Sequence, residues 1–255
     1  MKQKIITGAI LAATLGPALY LGGYFFLAVV VVFLSLGSRE ISFVFEPAWP
    51  KSMILVTLVI IMLFYIAPFQ YIFLLIIGVL SLMFVFKVLF NWFTIEDGAL
   101  WFLLLMIVGV SVHGLSVIFS YGSLAILYVA VATYMTDTAA YFIGMRFGRH
   151  KLAPMISPNK TIEGAIGGWV FGALLALVYS IVLLDGTFDL TLLLIVSLIM
   201  PFVGQLGDLA FSSIKRHKDI KDFGTIFPEH GGVLDRIDSL LFNFMFFYAI
   251  IVLFV

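Results

Sequence analysis

Apolar runs long enough to cross a bilayer follow one another along almost the whole chain. They constrain its fold more than any other feature. A helix crossing the hydrocarbon core needs about 20 mainly apolar residues, within a range of about 17–25. Gly, Pro and charged residues divide the sequence into nine such stretches, at roughly 5–20, 24–36, 52–67, 69–86, 99–119, 124–145, 162–184, 190–206 and 237–255. The second is short for a span, and the break at Pro68 is also compatible with one long kinked helix. Charged residues make up only 11% of the chain and apolar ones 63%, against about 25% charged in a soluble domain. A soluble fold of this size leaves too much surface exposed to hide so much apolar side chain. The runs do not alternate as the strands of a membrane barrel do. Only helices satisfy backbone polar groups within a uniformly apolar segment. The expected fold is an all-α integral membrane protein of about nine transmembrane helices.

Met1–Lys4 and the apolar stretch after them superficially resemble a signal peptide. No small-x-small cleavage site leads into a soluble chain and further spans follow at once, so the stretch reads as the first span. With no cysteine, disulfides and thiolate metal sites are excluded.

Orientation follows from the positive residues. With the amino terminus in the cytoplasm, Lys2, Lys4, Arg39, Lys51, Lys87, Arg146, Arg149, Lys151, Lys160, Lys215, Arg216, Lys218, Lys221 and Arg236 all fall on the cytoplasmic side. These are all fourteen Lys and Arg of the chain, and the connection between spans seven and eight carries only Asp185 and Asp189. The expectation is an amino terminus in and a carboxyl terminus out. No internal repeat, linker or low-complexity segment stands out. Two polar cytoplasmic loops do, at 146–161 and 207–238, and chemistry is expected there.

The second loop gathers acids, bases, two His and a Gly-Gly pair. Asp208 follows one span, and Asp235 and Asp238 stand at the threshold of the next, three apart and so on one face of a helix. Carboxylates crowded at a membrane boundary repel unless a cation neutralises them. Oxygen-only ligands suit Mg²⁺, which keeps waters and leans on substrate phosphates. Lys215, Arg216, Lys221 and Arg236 offer charge to phosphate oxygens, and His230-Gly231-Gly232 allows a close backbone approach. The basic residues alone equally suit a solvated loop obeying the positive-inside rule. The three Asp and the Gly-Gly pair beside His favour a phosphate-and-metal site.

In the earlier loop, Ser157-Pro-Asn-Lys-Thr161 precedes a glycine-rich helix start, Glu163-Gly-Ala-Ile-Gly-Gly168. Thr161 can cap the seventh span, whose free N–H groups favour an anion, and Lys160 stands beside them. An ordinary capped helix with small packing residues explains these residues equally well. No Walker spacing is present. Asp137 is the one acid away from the ends of an expected span, where a charge is functional or paired by default. Its two readings are a shallow position facing the cytoplasmic site and a pairing with a cation from another loop. His113 reads as a packed, hydrogen-bonded histidine, and His150 and His217 as loop residues.

Ser212-x-Ile214-Lys215-Arg216, Lys221-Asp222, Gly224, Phe227-Pro228, His230-Gly231-Gly232 and Asp235-Arg236-Ile237-Asp238 together fill every defined position of the signature of the phosphatidate cytidylyltransferase family. Thr136-Asp137, Ser157-Pro-x-Lys-Thr161 and Gly204-Gln-Leu-Gly-Asp208 also resemble blocks of that family. The resemblance is detailed in the C-terminal half and only a string of spans in the N-terminal half. It implies a single polytopic domain over 1–255, with N-terminal spans at about 1–98 and a catalytic part at about 99–255. The implied reaction joins CTP and phosphatidate into CDP-diacylglycerol and pyrophosphate. The implied cofactor is Mg²⁺, with room for a second metal or a monovalent cation. The implied assembly is a homodimer in the cell membrane, its active site facing the cytoplasm and no nucleic acid among its partners. Asp208 and Asp235 are the implied principal metal ligands, with Asp238 and Asp137 close by. Lys160, Lys215, Arg216 and Lys221 are implied to bind phosphates, and His230 with its Gly pair to line the nucleotide site. Ser157, Thr161, Asp222 and Arg236 complete the expected substrate contacts. Glu229 occupies a free position of the pattern where Gly is expected, adding a negative charge beside the nucleotide site without breaking the signature.

Two other readings compete. An ion-coupled transporter using Asp137 and Asp208 would show repeats or broken midplane helices, and neither is visible. A CDP-alcohol phosphotransferase would carry an Asp-x2-Asp-Gly start that this chain lacks. A cytidylyltransferase for another lipid phosphate stays open.

Overall fold

The structure, a computed structural model, describes residues 14, 16–226 and 231–254. The expected first span, 5–20, falls mostly outside them, as do Phe227, Pro228, Glu229 and His230. The elements are helices α1 (Gly23–Phe43), α2 (Ser52–Ile66), α3 (Ile72–Leu89), α4 (Ile95–Ser120) and α5 (Ser123–Phe147). A hairpin of β1 (Lys151–Ala153) and β2 (Ser157–Thr161) follows, then α6 (Ile162–Leu183), α7 (Leu190–His217) and α8 (Leu234–Phe254). Among the described residues seven helices are long and apolar enough to cross a membrane, and α2 is a shorter apolar helix. Side chains such as Val88, Leu89, Phe73 and Val182 point outward from these helices without cover. Lipid is the solvent such surfaces require.

Three expectations are corrected. The short second stretch is a full 21-residue helix that continues through its polar end, where Ser35, Ser38 and Ser42 satisfy their hydroxyls on carbonyls one turn back. The loop at 207–238 is half helix: α7 runs through Asp208 and ends at His217, so Asp208 lies inside a helix rather than past one. The loop at 146–161 contains the antiparallel hairpin, with Lys151 opposite Thr161 and Ala153 opposite Ser157. The Pro68 break is real: Pro68 has extended backbone and a 3₁₀ turn, Phe69–Tyr71, leads into α3.

The chain forms two compact units. One contains α1–α3, most of α4, and Ile220–Arg236. Its core is aromatic: Trp49 stacks on Phe45 and Phe93 at centroid distances of 4.2 and 4.9 Å and meets Trp92 and Trp101 edge-on. Trp101 donates its indole N–H to the Thr57 hydroxyl. His113 is buried, with Nδ1 3.1 Å from the Phe64 carbonyl, the packed histidine its surroundings suggested.

The second unit comprises Gly114–Asp219 and Ile237–Val255. Here α5 lies against α6 along a face of small residues. A Cβ at Gly168 would come 2.6 Å from the Ala140 Cβ and 2.7 Å from the Thr136 carbonyl, and one at Gly164 2.7 Å from the Ala140 carbonyl. Such close backbone approach is how helices gain packing contact where lipid supplies no hydrophobic drive. α7 carries Pro201 inside its length, which removes one backbone bond and favours a bend. Its start is capped by Asp189, whose Oδ1 accepts from the Thr191 N–H at 2.7 Å. That bond holds the exposed Asp189 carboxyl below the usual carboxylate range.

Candidate functional site

Each unit gathers part of the polar sequence. In the second unit the centre is Asp208, on the polar half of α7. Lys160, the last but one residue of β2, places Nζ 2.5 Å from Asp208 Oδ2. Ser212, one turn on along α7, donates its hydroxyl to Asp208 Oδ1 at 3.3 Å. The carboxylates of Asp137 on α5 and Asp238 on α8 are electrostatic neighbours of Asp208, and Lys215 is a neighbour of Asp238. Three carboxyl groups share this cluster with two ammonium groups. A divalent cation among them leaves the cluster net positive and suited to an anion.

Local structure explains why these groups meet. Thr161 is the N-cap of α6, its hydroxyl accepting from the Gly164 N–H at 3.2 Å, as its position suggested. Glu163 accepts from the Arg149 and His150 backbone N–H groups, and its Oε1 lies 2.6 Å from His150 Nδ1. These bonds tie the end of α5 to the start of α6 and aim the hairpin. Arg216 donates Nε to the Ile156 carbonyl at 3.3 Å, fastening the hairpin turn to α7. Ser157 opens β2 beside this anchor. Gly204 and Gly207 let α8 come close: Cβ atoms there would meet Asn243 and Phe242 at 2.7 and 2.8 Å.

The first unit holds the other expected residues. Asp235, in the first turn of α8, accepts on Oδ2 from the Gly232 N–H at 2.9 Å and the Phe223 N–H at 2.8 Å. Gly231 has φ +76°, and a Cβ there would lie 2.7 Å from that oxygen and 3.0 Å from Asp222. The Gly pair is therefore required by a tight turn closing on Asp235. Arg236 follows in the same helical turn, and Lys221 is exposed in the preceding segment. His230 lies outside the described residues.

Sequence reasoning missed Glu40. This residue is 2% exposed near the end of α1, and both its oxygens accept backbone N–H groups, from Val233 at 2.7 Å and Leu234 at 2.8 Å. The available signal was an acid within a helical run, masked by its neighbour Arg39.

Among the described residues no three His, Cys, Asp or Glu side chains form a ready-made metal cage. A small hard cation that is bound through one or two carboxylates and completed by waters and substrate phosphates needs no such cage. Asp208 with Asp238 or Asp137 fits that mode, so the donor chemistry suits Mg²⁺.

Seven long apolar helices and a polar acid–base cluster mark this chain as a multi-pass membrane protein with a charged site. The comparison with known families narrows this. The model of the cytidylyltransferase family matches residues 2–254, and the chain belongs to that family. It is 35% identical to the phosphatidate cytidylyltransferase of Bacillus subtilis over 272 aligned positions, covering 100% of this chain and 98% of that protein. It is 43% identical to the protein of the same name from Staphylococcus saprophyticus over 60% of this chain and 58% of the relative. With the Staphylococcus aureus strain COL protein the identity is 50% over 46% of this chain and 45% of the relative.

Proposed function

We propose that this chain transfers the cytidylyl group of CTP to phosphatidate, giving CDP-diacylglycerol and pyrophosphate. The observation that carries this reading is a family relationship running the whole length, from residue 2 to 254, with relatives named for that reaction. An oxygen of the lipid phosphate attacks the α-phosphorus of CTP. The bond from that phosphorus to the bridging oxygen of the β-phosphate breaks, and pyrophosphate leaves with that oxygen. The attacking group is already an anion, so the protein's task is positioning and charge neutralisation rather than proton removal. Lys160, Lys215, Arg216, Lys221 and Arg236 take up phosphate charge. Ser157, Thr161, Asp222, His230, Gly231 and Gly232 shape the contacts with the nucleotide.

Mg²⁺, when bound, supplies charge to the phosphate oxygens and the departing pyrophosphate. Asp208 and Asp238 are its proposed ligands, with Asp137 beside them and Asp235 as the further carboxylate of the family pattern. Lys160 then exchanges part of its contact with Asp208 for substrate phosphate. The active face is cytoplasmic, with the amino terminus in and the carboxyl terminus out. The distribution of the fourteen basic residues supports that orientation. The family resemblance supports a homodimer.

The test is transfer by the purified protein in detergent, supplied with labelled CTP, phosphatidate and Mg²⁺, alongside Asp208→Asn. The expected result is a lipid-extractable CDP product that EDTA abolishes and the substitution lowers at least 100-fold, the range for lost electrostatic stabilisation. CTP binding without product redirects the reading to a different lipid phosphate. A folded protein that neither binds CTP nor transfers it overturns the reading.

A further inference from the structure

We propose that Glu40 is a positioning residue for the Gly231–Gly232 turn and for Asp235, an inference that rests on the transferase reading above. Glu40 stands near the end of α1, more than 190 positions before the residues it holds. Val233 immediately precedes α8 and Leu234 begins it, and their N–H groups are among those a helix start leaves without an intrahelical partner. Each oxygen of the Glu40 carboxylate takes one of them. Negative charge is favoured at that helix end.

The fit around this carboxylate is tight on the other side too. A Cβ at Gly232 would lie 2.5 Å from Glu40 Cδ, and one at Gly224 2.7 Å from Oε1. Glycine at 224 and 232 therefore makes room for a side chain contributed by α1. Asp235 completes the grip by accepting from Gly232 and Phe223 N–H. The Gly231–Gly232 turn is thus held between two carboxylates, one from Glu40 and one from Asp235.

Simple capping would not need this arrangement. A Ser or Thr at position 233 could cap α8 locally, without burying a charge, which is costly unless its hydrogen bonds are made. Val233 stands there instead, and the acceptor comes from a different membrane helix. Such an acceptor fixes both the rotation of the first turn of α8 and the distance of that turn from α1. Asp235 lies in that turn, so its carboxylate is oriented by the same lock.

Glu40→Gln keeps the size of the side chain but turns one acceptor into a donor that faces an N–H. The first readout is amide hydrogen exchange in detergent, which needs no turnover. Exchange over 223–234 is expected to quicken at least 10-fold in Glu40→Gln, with α5, α6 and α7 unchanged. In the same preparation the turnover number per folded protein falls at least 10-fold. The Mg²⁺ concentration for half-maximal rate rises and KM for CTP shifts less than 3-fold. Gly232→Ala provides a second arm: it costs at least 10-fold in the parent and less than 3-fold more in a Glu40→Ala background, where the obstructing carboxylate is gone. Unchanged exchange over 223–234 overturns the proposal. So do normal turnover and Mg²⁺ response in Glu40→Gln, or additive costs in the double variant. A parent protein that transfers nothing, while exchange responds as expected, sinks the transferase reading and leaves the lock standing.

Discussion

Lys160 and Asp208 are each 28% exposed at the side chain, so their 2.5 Å contact is partly open to solvent. Ion pairs in such surroundings contribute about 0–1 kcal/mol to stability. Lys160→Met is therefore expected to lower the melting temperature by only a few degrees, since about 1 kcal/mol moves a chain of this size by roughly 2–4 °C. If the ammonium neutralises substrate phosphate, kcat/KM falls by about 100-fold, with Lys160→Arg recovering part of it. Comparable losses of stability and activity would instead make Lys160 a structural clamp. The residue types of this cluster were legible in the sequence, because acids and bases in an apolar chain have few innocent explanations. Their pairing was not, since Lys160 and Asp208 are brought together by the hairpin and the Thr161 cap. Glu40 was illegible for a different reason: its partners are backbone N–H groups, which have no side-chain signature.

Helices differ in how far sequence foretells them. Hydropathy marks where lipid ends, not where a helix ends, and α7 shows the difference. Its apolar part stops near Leu206, yet backbone bonding continues through Asp208, Ser212 and Lys215 to His217. A polar stretch read as loop was helix because Lys and Arg are good helix formers and Phe211 and Ile214 still bury one face. The small residues of α6 were legible as packing residues, while their partner helix was not. That pairing makes a prediction. Gly168→Leu drives a side chain into Ala140 and the Thr136 carbonyl, and overpacking of this kind costs about 1–3 kcal/mol or more. A Cβ at Gly78 on α3 meets nothing within 4 Å, so Gly78→Leu has open space to enter. Size-exclusion profiles and melting in detergent should show loss of folded protein for Gly168→Leu and little change for Gly78→Leu. Equal behaviour of the two would mean that α5 and α6 do not depend on close approach.

At the scale of the whole molecule, segment 220–236 belongs to the compact unit of the N-terminal helices. Nothing in the pattern of apolar runs foretells that, because the link is made by one buried carboxylate and a few glycines. Orientation is a different matter, since the expectation for it depends only on where charge lies along the chain. It is testable because the protein contains no cysteine, so a single introduced thiol is the only reactive one. Met155, at the turn of the hairpin, is 90% exposed, and Thr187, between α6 and α7, is also exposed. With the proposed orientation, a membrane-impermeant maleimide labels Thr187→Cys in intact cells and labels Met155→Cys only after permeabilisation. The reverse pattern inverts the topology and removes the hairpin from the side where CTP is found. Labelling of both in intact cells would mean that α6 does not cross the bilayer, and that the positive-inside pattern has another origin.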